Sequence, residues 1–229
     1  MSSHSKLDSF GKERAKSYDQ NNTHLIPIYE NLYYLIKILL NELPANSKIL
    51  CVGVGTGSEI IELAEIFPKF SFVAIDPSES MLEICKEKLQ KLNLLDRCEL
   101  IHGYIDNVSE TTKFDAALSL LVLHHTSLED RRKIVTGIFK HLKITGYFIC
   151  AEISYDLSNA DSDIMEKCKT IKRRSGATEE KIQNLPRMMK EHLFIQSPSE
   201  VKHMLEISGF STQVQFFQAL LICAWYARK

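Results

Sequence analysis

A glycine-rich turn between two apolar strands constrains this chain more than any other feature. Residues 49–57 read Ile-Leu-Cys-Val-Gly-Val-Gly-Thr-Gly, so an apolar strand leads directly into three glycines at alternate positions. A second apolar strand, residues 72–75, ends at Asp76. Glycines let a backbone approach a ligand closely, and the helix after such a turn offers unpaired N–H groups. An acidic residue on the neighbouring strand can accept both hydroxyls of a ribose, so the pattern predicts a nucleoside-containing ligand.

The rest of the chain predicts alternating strands and helices. Near-continuous apolar strands between amphipathic helices indicate a parallel sheet that is covered on both faces. The helices predicted from their three- and four-residue apolar spacing are 25–43, 59–67, 81–92 and 128–142, the last with a capping pair of Thr126 and Glu129. The strands predicted with them are 48–52, 71–75, 98–102, 115–121 and 147–153.

The C-terminal region predicts a different arrangement. Residues 155–205 are charged and helical in pattern, whereas 211–217 and 221–227 read as strands with three residues between them. A connection this short forces an antiparallel pair. We therefore predict an α/β fold with a mostly parallel seven-stranded sheet and an antiparallel C-terminal hairpin. The predicted division is a helical lid over 1–47, a ligand-binding domain over 48–154 and 206–229, and a helical cap over 155–205.

Composition excludes several classes of protein. The 229 residues have a net charge of −1, which gives no general attraction to nucleic acid or to an anionic membrane. The six cysteines are scattered and form no Cys-x-x-Cys pair, so neither a metal site nor a disulfide framework is indicated. Residues 1–16 contain no apolar run, and no segment approaches the ~20 apolar residues that span a bilayer. We expect a cytoplasmic protein without a membrane partner.

Taken together, these motifs resemble those of class I S-adenosylmethionine-dependent methyltransferases. The resemblance rests on Ile49–Gly57, on Asp76, on Phe114-Asp115-Ala116-Ala117, on Gly146 and on the terminal hairpin. It implies a Rossmann-like fold, S-adenosylmethionine as the cofactor and methyl transfer as the reaction. A nicotinamide dehydrogenase is the disfavoured alternative, because it prefers Gly-x-Gly-x-x-Gly and lacks the hairpin. A non-catalytic cofactor-binding or scaffold protein is another alternative.

The resemblance also implies a set of cofactor-binding residues. They follow the carboxyl ends of the first four strands and are Gly53, Val54, Gly55, Gly57, Asp76, Pro77, Met81, Tyr104, Ile105 and Ser119. A core methionine is the alternative role for Met81. The chain departs from the family pattern at two positions, since Cys51 replaces an acidic residue and Tyr104 replaces an aspartate that holds the adenine amine.

Within the class, the chain looks most like carboxy-S-adenosylmethionine synthases and their methyltransferase relatives. The shared features are Pro27 and Tyr29 and three C-terminal segments, 184–194, 197–210 and 216–218. The synthases carry an arginine near 184–188 that holds the added carboxylate of the cofactor. Arg187 lies in this region, but one position away from the family arginine. Synthesis of carboxy-S-adenosylmethionine is therefore an alternative function.

Few residues suggest a catalytic role on the acceptor side. His124 is a candidate general base because histidine titrates near neutrality, and Arg187 and Tyr29 are candidates for contact with the substrate. The basic residues Lys169, Lys172, Arg173 and Arg174 favour a solvated helix face, with an RNA or acidic-substrate surface as the alternative. We expect a small-molecule or RNA-borne acceptor and a homodimer that forms through the helical cap.

Overall fold

In a computed structural model, which describes residues 25–156 and 162–229, the chain forms a seven-stranded sheet. The strands are β1 Lys48–Val52, β2 Ser71–Asp76, β3 Cys98–His102, β4 Phe114–Leu120, β5 Leu142–Ile153, β6 Thr212–Ala219 and β7 Ile222–Arg228. Their order across the sheet is β3-β2-β1-β4-β5-β7-β6. Strands β1 to β5 are parallel, whereas β7 is antiparallel to both β5 and β6. The predicted sheet with its C-terminal hairpin is confirmed.

Helices cover both faces of this sheet, as predicted. In chain order they are α1 Ile26–Leu40, α2 Ser58–Ile66, α3 Glu79–Lys91, α4 Leu128–His141, α5 Ser162–Arg174, α6 Glu179–Gln183, α7 Leu185–His192 and α8 Pro198–Ile207. One face packs against α1, α2 and α3, with Ile36 and Leu82 among the buried side chains. The other face packs against α4 and α8 through residues such as Val135 and Leu205. Both faces of the sheet are therefore dry, which explains its near-continuous apolar strands.

The strand order creates a crevice at one edge of the sheet. Strand β1 lies between β2 and β4, so the chain crosses to one side after β1 and reaches the other side only with β4. The carboxyl ends of β1, β2, β3 and β4 all meet at this edge. Open α/β sheets bind ligands at such a switch point, because the loops on its two sides diverge and leave space between them.

Several boundaries differ from the predicted ones, most clearly at α4. Its N-cap is Ser127, whose Oγ accepts a hydrogen bond from the N–H of Asp130, so the predicted pair of Thr126 and Glu129 is wrong by one residue. The Thr126 side chain is directed away from the helix, since its hydroxyl donates to the carbonyl of Leu123 in the preceding turn at 2.7 Å. The helix ends at His141, and β5 begins at the next residue rather than at 147.

The hairpin also differs from its prediction. Strand β6 continues to Ala219, two residues beyond the predicted end, and only Leu220 and Leu221 separate it from β7. Leu220 has a positive φ of 53°, which is typical of the two-residue turns whose twist matches that of the paired strands. The three-residue connection that we predicted is therefore one residue too long.

The predicted lid and cap are only partly described. Residues 1–24 of the lid and 157–161 of the cap lie outside the described residues. Helix α8, at the end of the predicted cap, packs Val201 and Leu205 into the core of the sheet. Along the two stretches that are described, 25–156 and 162–229, no helix is both long enough and apolar enough to cross a membrane.

Candidate functional site

The glycine turn after β1 is held by hydrogen bonds to the end of β2. The N–H groups of Gly53 and Val54 donate to the carbonyl oxygen of Ile75 at 2.8 and 3.1 Å. The N–H of Gly55 donates to the carboxylate Oδ2 of Asp76 at 2.8 Å. The N–H of Gly57 donates to the carbonyl of Val54 at 2.9 Å within the turn. The turn and the acidic strand end that the sequence singled out are therefore in direct contact, and four of the N–H groups of the turn are used within the chain.

Asp76 organises the tips of both strands. Its second oxygen, Oδ1, accepts the N–H of Ser78 at 2.8 Å, and the residue is only 7% exposed. Burial raises the pKa of Asp76, while the N–H groups of Ser78 and Gly55 act in the opposite direction. A carboxylate has about four lone-pair positions, so one position on each oxygen remains for a ligand. Two remaining acceptors match the two hydroxyls of a ribose.

The three glycines of the turn have different surroundings. A Cβ atom on Gly53 would lie 2.5 Å from the side chain of Val122, and one on Gly57 would lie 2.5 Å from Sγ of Cys85. A Cβ on Gly55 would meet nothing within 4 Å, although its φ is +53°. Gly53 and Gly57 are thus required by packing within the protein. Gly55 instead faces open space, which is where a bound ligand can approach the backbone.

A mainly apolar pocket opens beside this turn. Its walls come from the ends of β1 and β2 and from the segments after β3 and β4, and its lining residues are Val52, Gly53, Ile75, Pro77, Gly103, Tyr104, Ile105, Val122, Thr126 and Ile134. Of the predicted cofactor-binding residues, Gly53, Pro77, Tyr104 and Ile105 line it. An apolar pocket next to a ribose-matching carboxylate has the chemistry to accept the apolar faces of a base such as adenine.

The other predicted cofactor residues lie in different surroundings. Met81 is 4% exposed on the buried face of α3, with its N–H directed at the Ser78 hydroxyl. Ser119 is fully buried in β4, and its hydroxyl has no hydrogen-bond partner among the described residues. The N–H of Tyr104 donates to the side chain of Asn107 at 2.8 Å, so this backbone group is already bonded within the chain.

Glu59 is a buried acid beside the glycine turn that the sequence patterns did not single out. Cys51 is fully buried, and burial raises the pKa of its thiol well above the ordinary value, so it does not supply the negative charge of the family residue. Glu59, in the first turn of α2, is 7% exposed, and burial raises its pKa to about 8, with the charge of Asp76 acting in the same direction. The only sequence signal was an acidic residue immediately after the turn.

The candidate acceptor-side residues differ in their exposure to solvent. His124 is 2% exposed, and its Nδ1 accepts the N–H of Ile153 at 3.3 Å. Burial lowers the pKa of His124 well below its usual value, so the ring is neutral near pH 7. Arg187 lies on α7 with its side chain 74% exposed and paired with Glu191 at 2.7 Å. Tyr29 is half-buried on α1.

The predicted basic cluster is also partly neutralised. Lys169 pairs with Glu166 at 2.6 Å, and Arg173 pairs with Glu179 at 3.2 Å. Burial lowers the pKa of Lys172. Acidic partners beside two of the four basic residues favour the interpretation as an ordinary solvated helix face over that of an RNA-binding surface.

Comparison with known proteins points to one class of enzyme. Residues 49–146 match the family model described as a methyltransferase domain. A carboxy-S-adenosyl-L-methionine synthase from Campylobacter jejuni is 26% identical over 213 residues, which are 91% of this chain and 88% of the relative. A protein of the same name from Trichodesmium erythraeum is 27% identical over 220 residues, covering 89% of this chain and 81% of the relative.

Solved structures share the fold. A putative O-methyltransferase from Nostoc punctiforme superposes with a TM-score of 0.70 at 19% identity, over 95% of this chain and 59% of the other. Human N-acetylserotonin methyltransferase in complex with SAM gives 0.69 at 12% identity, over 100% of this chain and 60% of the other. This chain thus spans less than two thirds of the length of these two structures.

These matches confirm the predicted class. The chain has the Rossmann-like fold of class I S-adenosylmethionine-dependent methyltransferases, and the matched methyltransferase domain contains the glycine turn, Asp76 and all the residues that line the pocket. The match to a methyltransferase domain supports the predicted enzyme class, and the human N-acetylserotonin methyltransferase structure holds SAM, the cofactor predicted for this chain. The individual cofactor-binding and acceptor-side residues stay predictions.

Replacing Gly55 with alanine should separate ligand binding from folding. The added methyl group enters open space in the protein, so the free energy of unfolding should fall by only about 1 kcal/mol, from the positive φ. The same methyl group should block the approach of the cofactor, and calorimetry with S-adenosylhomocysteine should show no binding. Gly57→Ala is the matched control, because its Cβ meets Cys85 and should destabilise the fold strongly. Wild-type affinity in Gly55→Ala would contradict the assignment.

Glu59→Gln should change the pH dependence of stability. The folded-state pKa of about 8 lies above that of the unfolded chain, so the contribution of Glu59 to stability is complete below the unfolded pKa and is lost as the pH rises through about 8. The unfolding free energy of the variant relative to wild type should therefore increase from about pH 5.5 to about pH 7.5, by up to about 1.4 kcal/mol per pH unit. Urea denaturation measures this difference. The exposed Glu65→Gln is the control, and parallel pH curves for Glu59→Gln and wild type would contradict the prediction.

Proposed function

We propose that this chain transfers a methyl group from S-adenosylmethionine to a small-molecule or RNA-borne acceptor. The observation that supports this proposal best is the contact between Asp76 and Gly55. Asp76 keeps one acceptor position on each oxygen, while Gly55 leaves the space next to it open. Carboxylate and space together suit the ribose of the cofactor.

The remaining parts of the cofactor fit the same edge of the sheet. The apolar pocket lined by Pro77, Tyr104 and Ile105 suits the adenine ring. Gly53, Val54 and Gly57 shape the turn over which the methionine part would lie. Met81 and Ser119 are both buried, so in this proposal they support the walls of the site through packing.

When bound, S-adenosylmethionine supplies a methyl group already activated by its sulfonium, which leaves as a neutral thioether. The protein therefore has to hold the acceptor in line with the methyl carbon and to exclude water. Such positioning can supply about 7–11 kcal/mol of a barrier in favourable cases. A general base is required only when the acceptor is protonated at its working pH. The buried, neutral His124 is not required for this chemistry.

We further propose that specificity for the acceptor comes from the segments around the sheet. These are the lid over 1–47, with Tyr29 facing the acceptor side, and the cap over 155–205, with the α/β domain formed by 48–154 and 206–229. A homodimer through the cap and a cytoplasmic location belong to the same proposal. The amphipathic α5 and the exposed Met188 on α7 are compatible with a further contact surface.

Carboxy-S-adenosylmethionine synthesis is the second candidate. It is favoured by the names of the curated relatives, which align with about nine tenths of this chain. An added carboxylate in a closed site requires a cation, ideally a guanidinium that forms two hydrogen bonds. Arg187, the residue in the corresponding region, is instead exposed and paired with Glu191. This arrangement makes us favour methyl transfer.

The Asp76 assignment is tested by a conservative substitution. Asp76→Asn keeps the shape of the side chain but removes its charge and one acceptor, so the affinity for S-adenosylhomocysteine should fall about 10- to 150-fold, equivalent to ~1.5–3 kcal/mol. Isothermal titration calorimetry measures the loss, and the exposed Asp96→Asn is a matched control. Equal affinities for Asp76→Asn and wild type would show that the ribose binds elsewhere.

Mass spectrometry of the purified full-length protein separates the two candidate functions. If the chain is a methyltransferase, the retained ligand should be S-adenosylmethionine or S-adenosylhomocysteine, and Arg187→Ala should leave cofactor affinity unchanged. A retained species heavier by one carboxylate, which is lost in Arg187→Ala, would support the synthase instead. The two acceptor classes are separated with S-adenosylmethionine that carries a labelled methyl group. When the enzyme is incubated with total RNA or with a small-molecule extract, the label should be transferred to only one of the two.

A further inference from the structure

A buried arginine lies between the cofactor-binding edge and the cap. Arg131 is on α4, on the same buried stripe as Val135 and Ile138, and is fully inaccessible to solvent. Its Nε and Nη2 donate to the carbonyl oxygen of Leu123 at 3.1 and 2.8 Å. Nη2 also donates to the carbonyl of Phe194 at 2.6 Å.

The third nitrogen of the same guanidinium reaches the segment between α7 and α8, within the predicted cap. Nη1 of Arg131 donates to the side-chain oxygen of Gln196. The backbone of this segment is also bound to the rim of the sheet, because the N–H of Phe194 donates to the carbonyl of His124 at 2.8 Å and the Ser154 hydroxyl donates to the carbonyl of Gln196. One side chain therefore joins parts of the chain that lie more than sixty residues apart.

The charge of Arg131 is met by a buried acid. Glu152 on β5 is 1% exposed, and its Oε2 lies 3.6 Å from Nη2 of Arg131. Neither carboxylate oxygen of Glu152 has a hydrogen-bond partner among the described residues. Burial raises the pKa of Glu152 to about 7, and the charge of Arg131 acts against this rise. The N–H groups of the guanidinium therefore donate to backbone and amide carbonyl oxygens, while its positive charge faces the Glu152 carboxyl group.

The other end of this arrangement reaches the cofactor turn. Leu123, whose carbonyl Arg131 holds, directly follows Val122, and the Val122 side chain occupies the space that a Cβ on Gly53 would need. Val122 also lines the candidate adenine pocket. A continuous series of contacts therefore runs from Gly53 through Val122 and Leu123 to Arg131. It continues from Arg131 to Phe194, which lies between α7 and α8.

We propose that Arg131 is a positioning residue that fastens residues 193–196, between α7 and α8, to the cofactor-binding edge, so that occupation of the glycine turn orders this segment. The inference rests on the proposed function, since it takes the cofactor to bind at Gly53–Gly57. Only arginine suits this position, because lysine keeps the charge but its single nitrogen cannot replace three nitrogens in a rigid plane. A ligand that restricts the motion of Val122 then also restricts Leu123 and, through the hydrogen bonds of Arg131, Phe194 and Gln196.

Hydrogen exchange of the full-length protein tests this proposal, with S-adenosylhomocysteine as the probe. In ligand-free Arg131→Lys, the amides of 193–196 should exchange about tenfold faster than in wild type, the loss expected for a hydrogen bond to a charged group. The probe should slow exchange in both 53–57 and 193–196 of wild type. In Arg131→Lys it should slow exchange in 53–57 alone.

Two further variants keep the result interpretable. Gln196→Leu removes the side-chain oxygen that accepts from Nη1 of Arg131 and leaves the Arg131–Glu152 pair in place. It should therefore speed exchange of the 193–196 amides, and it tests the proposal even if Arg131→Lys folds poorly. The neighbouring, exposed Arg132→Lys should behave as wild type.

The possible failures are distinguishable. If 193–196 exchange at the wild-type rate in both Arg131→Lys and Gln196→Leu, or if the probe still slows these amides in Arg131→Lys, the inference is overturned. Faster exchange across the whole sheet of Gln196→Leu would show a merely structural role and would also overturn it. If wild type binds no probe by calorimetry, the proposed function and the coupling both fail, while the ligand-free comparison still decides whether Arg131 fastens the segment.

Discussion

Asp76 accepts hydrogen bonds from the backbone of Gly55 and Ser78, and through them it joins the glycine turn to the helix after the next strand. The arrangement of the site depends on this carboxylate, because the only other backbone hydrogen bonds that join the turn to β2 in the described part of the chain are those of Gly53 and Val54 to the carbonyl of Ile75. A buried carboxylate is costly unless its oxygens are bonded. Here the hydrogen bonds that make the burial of Asp76 possible also fix the shape of the turn. Asp76 therefore has both a structural role and a proposed role in ligand recognition.

Three buried acids surround the candidate site, and each is accommodated in a different way. Asp76 is bonded by backbone N–H groups, Glu152 faces Arg131, and burial leaves Glu59 protonated near neutral pH. These are the three physical influences on a buried acid, namely hydrogen bonding, an opposite charge and desolvation. The result is a set of buried acids whose charge is bonded, paired or suppressed within the chain.

In the proposed reaction the protein contributes alignment more than acid–base chemistry. Its candidate base, His124, is buried with Nδ1 accepting a backbone N–H, whereas the groups that reach the edge of the sheet are mainly backbone and apolar. Alignment requires that the segments around the acceptor keep fixed positions relative to the cofactor. The contacts of Arg131 with Leu123 and Phe194 are a physical means to that end.

The sequence by itself determined the order of strands and helices, the glycine turn and Asp76, because these follow from local apolar spacing and from backbone conformations that favour glycine. Boundaries such as Ser127 depended on where neighbouring hydroxyls are directed, because that of Thr126 turns back to the carbonyl of Leu123 whereas that of Ser127 meets the N–H of Asp130. Only the tertiary structure decided that Arg131 is buried and that Arg187 is exposed. The two arginines look alike in a helical pattern, and their roles differ because packing between distant segments removes water from one and leaves the other in solvent.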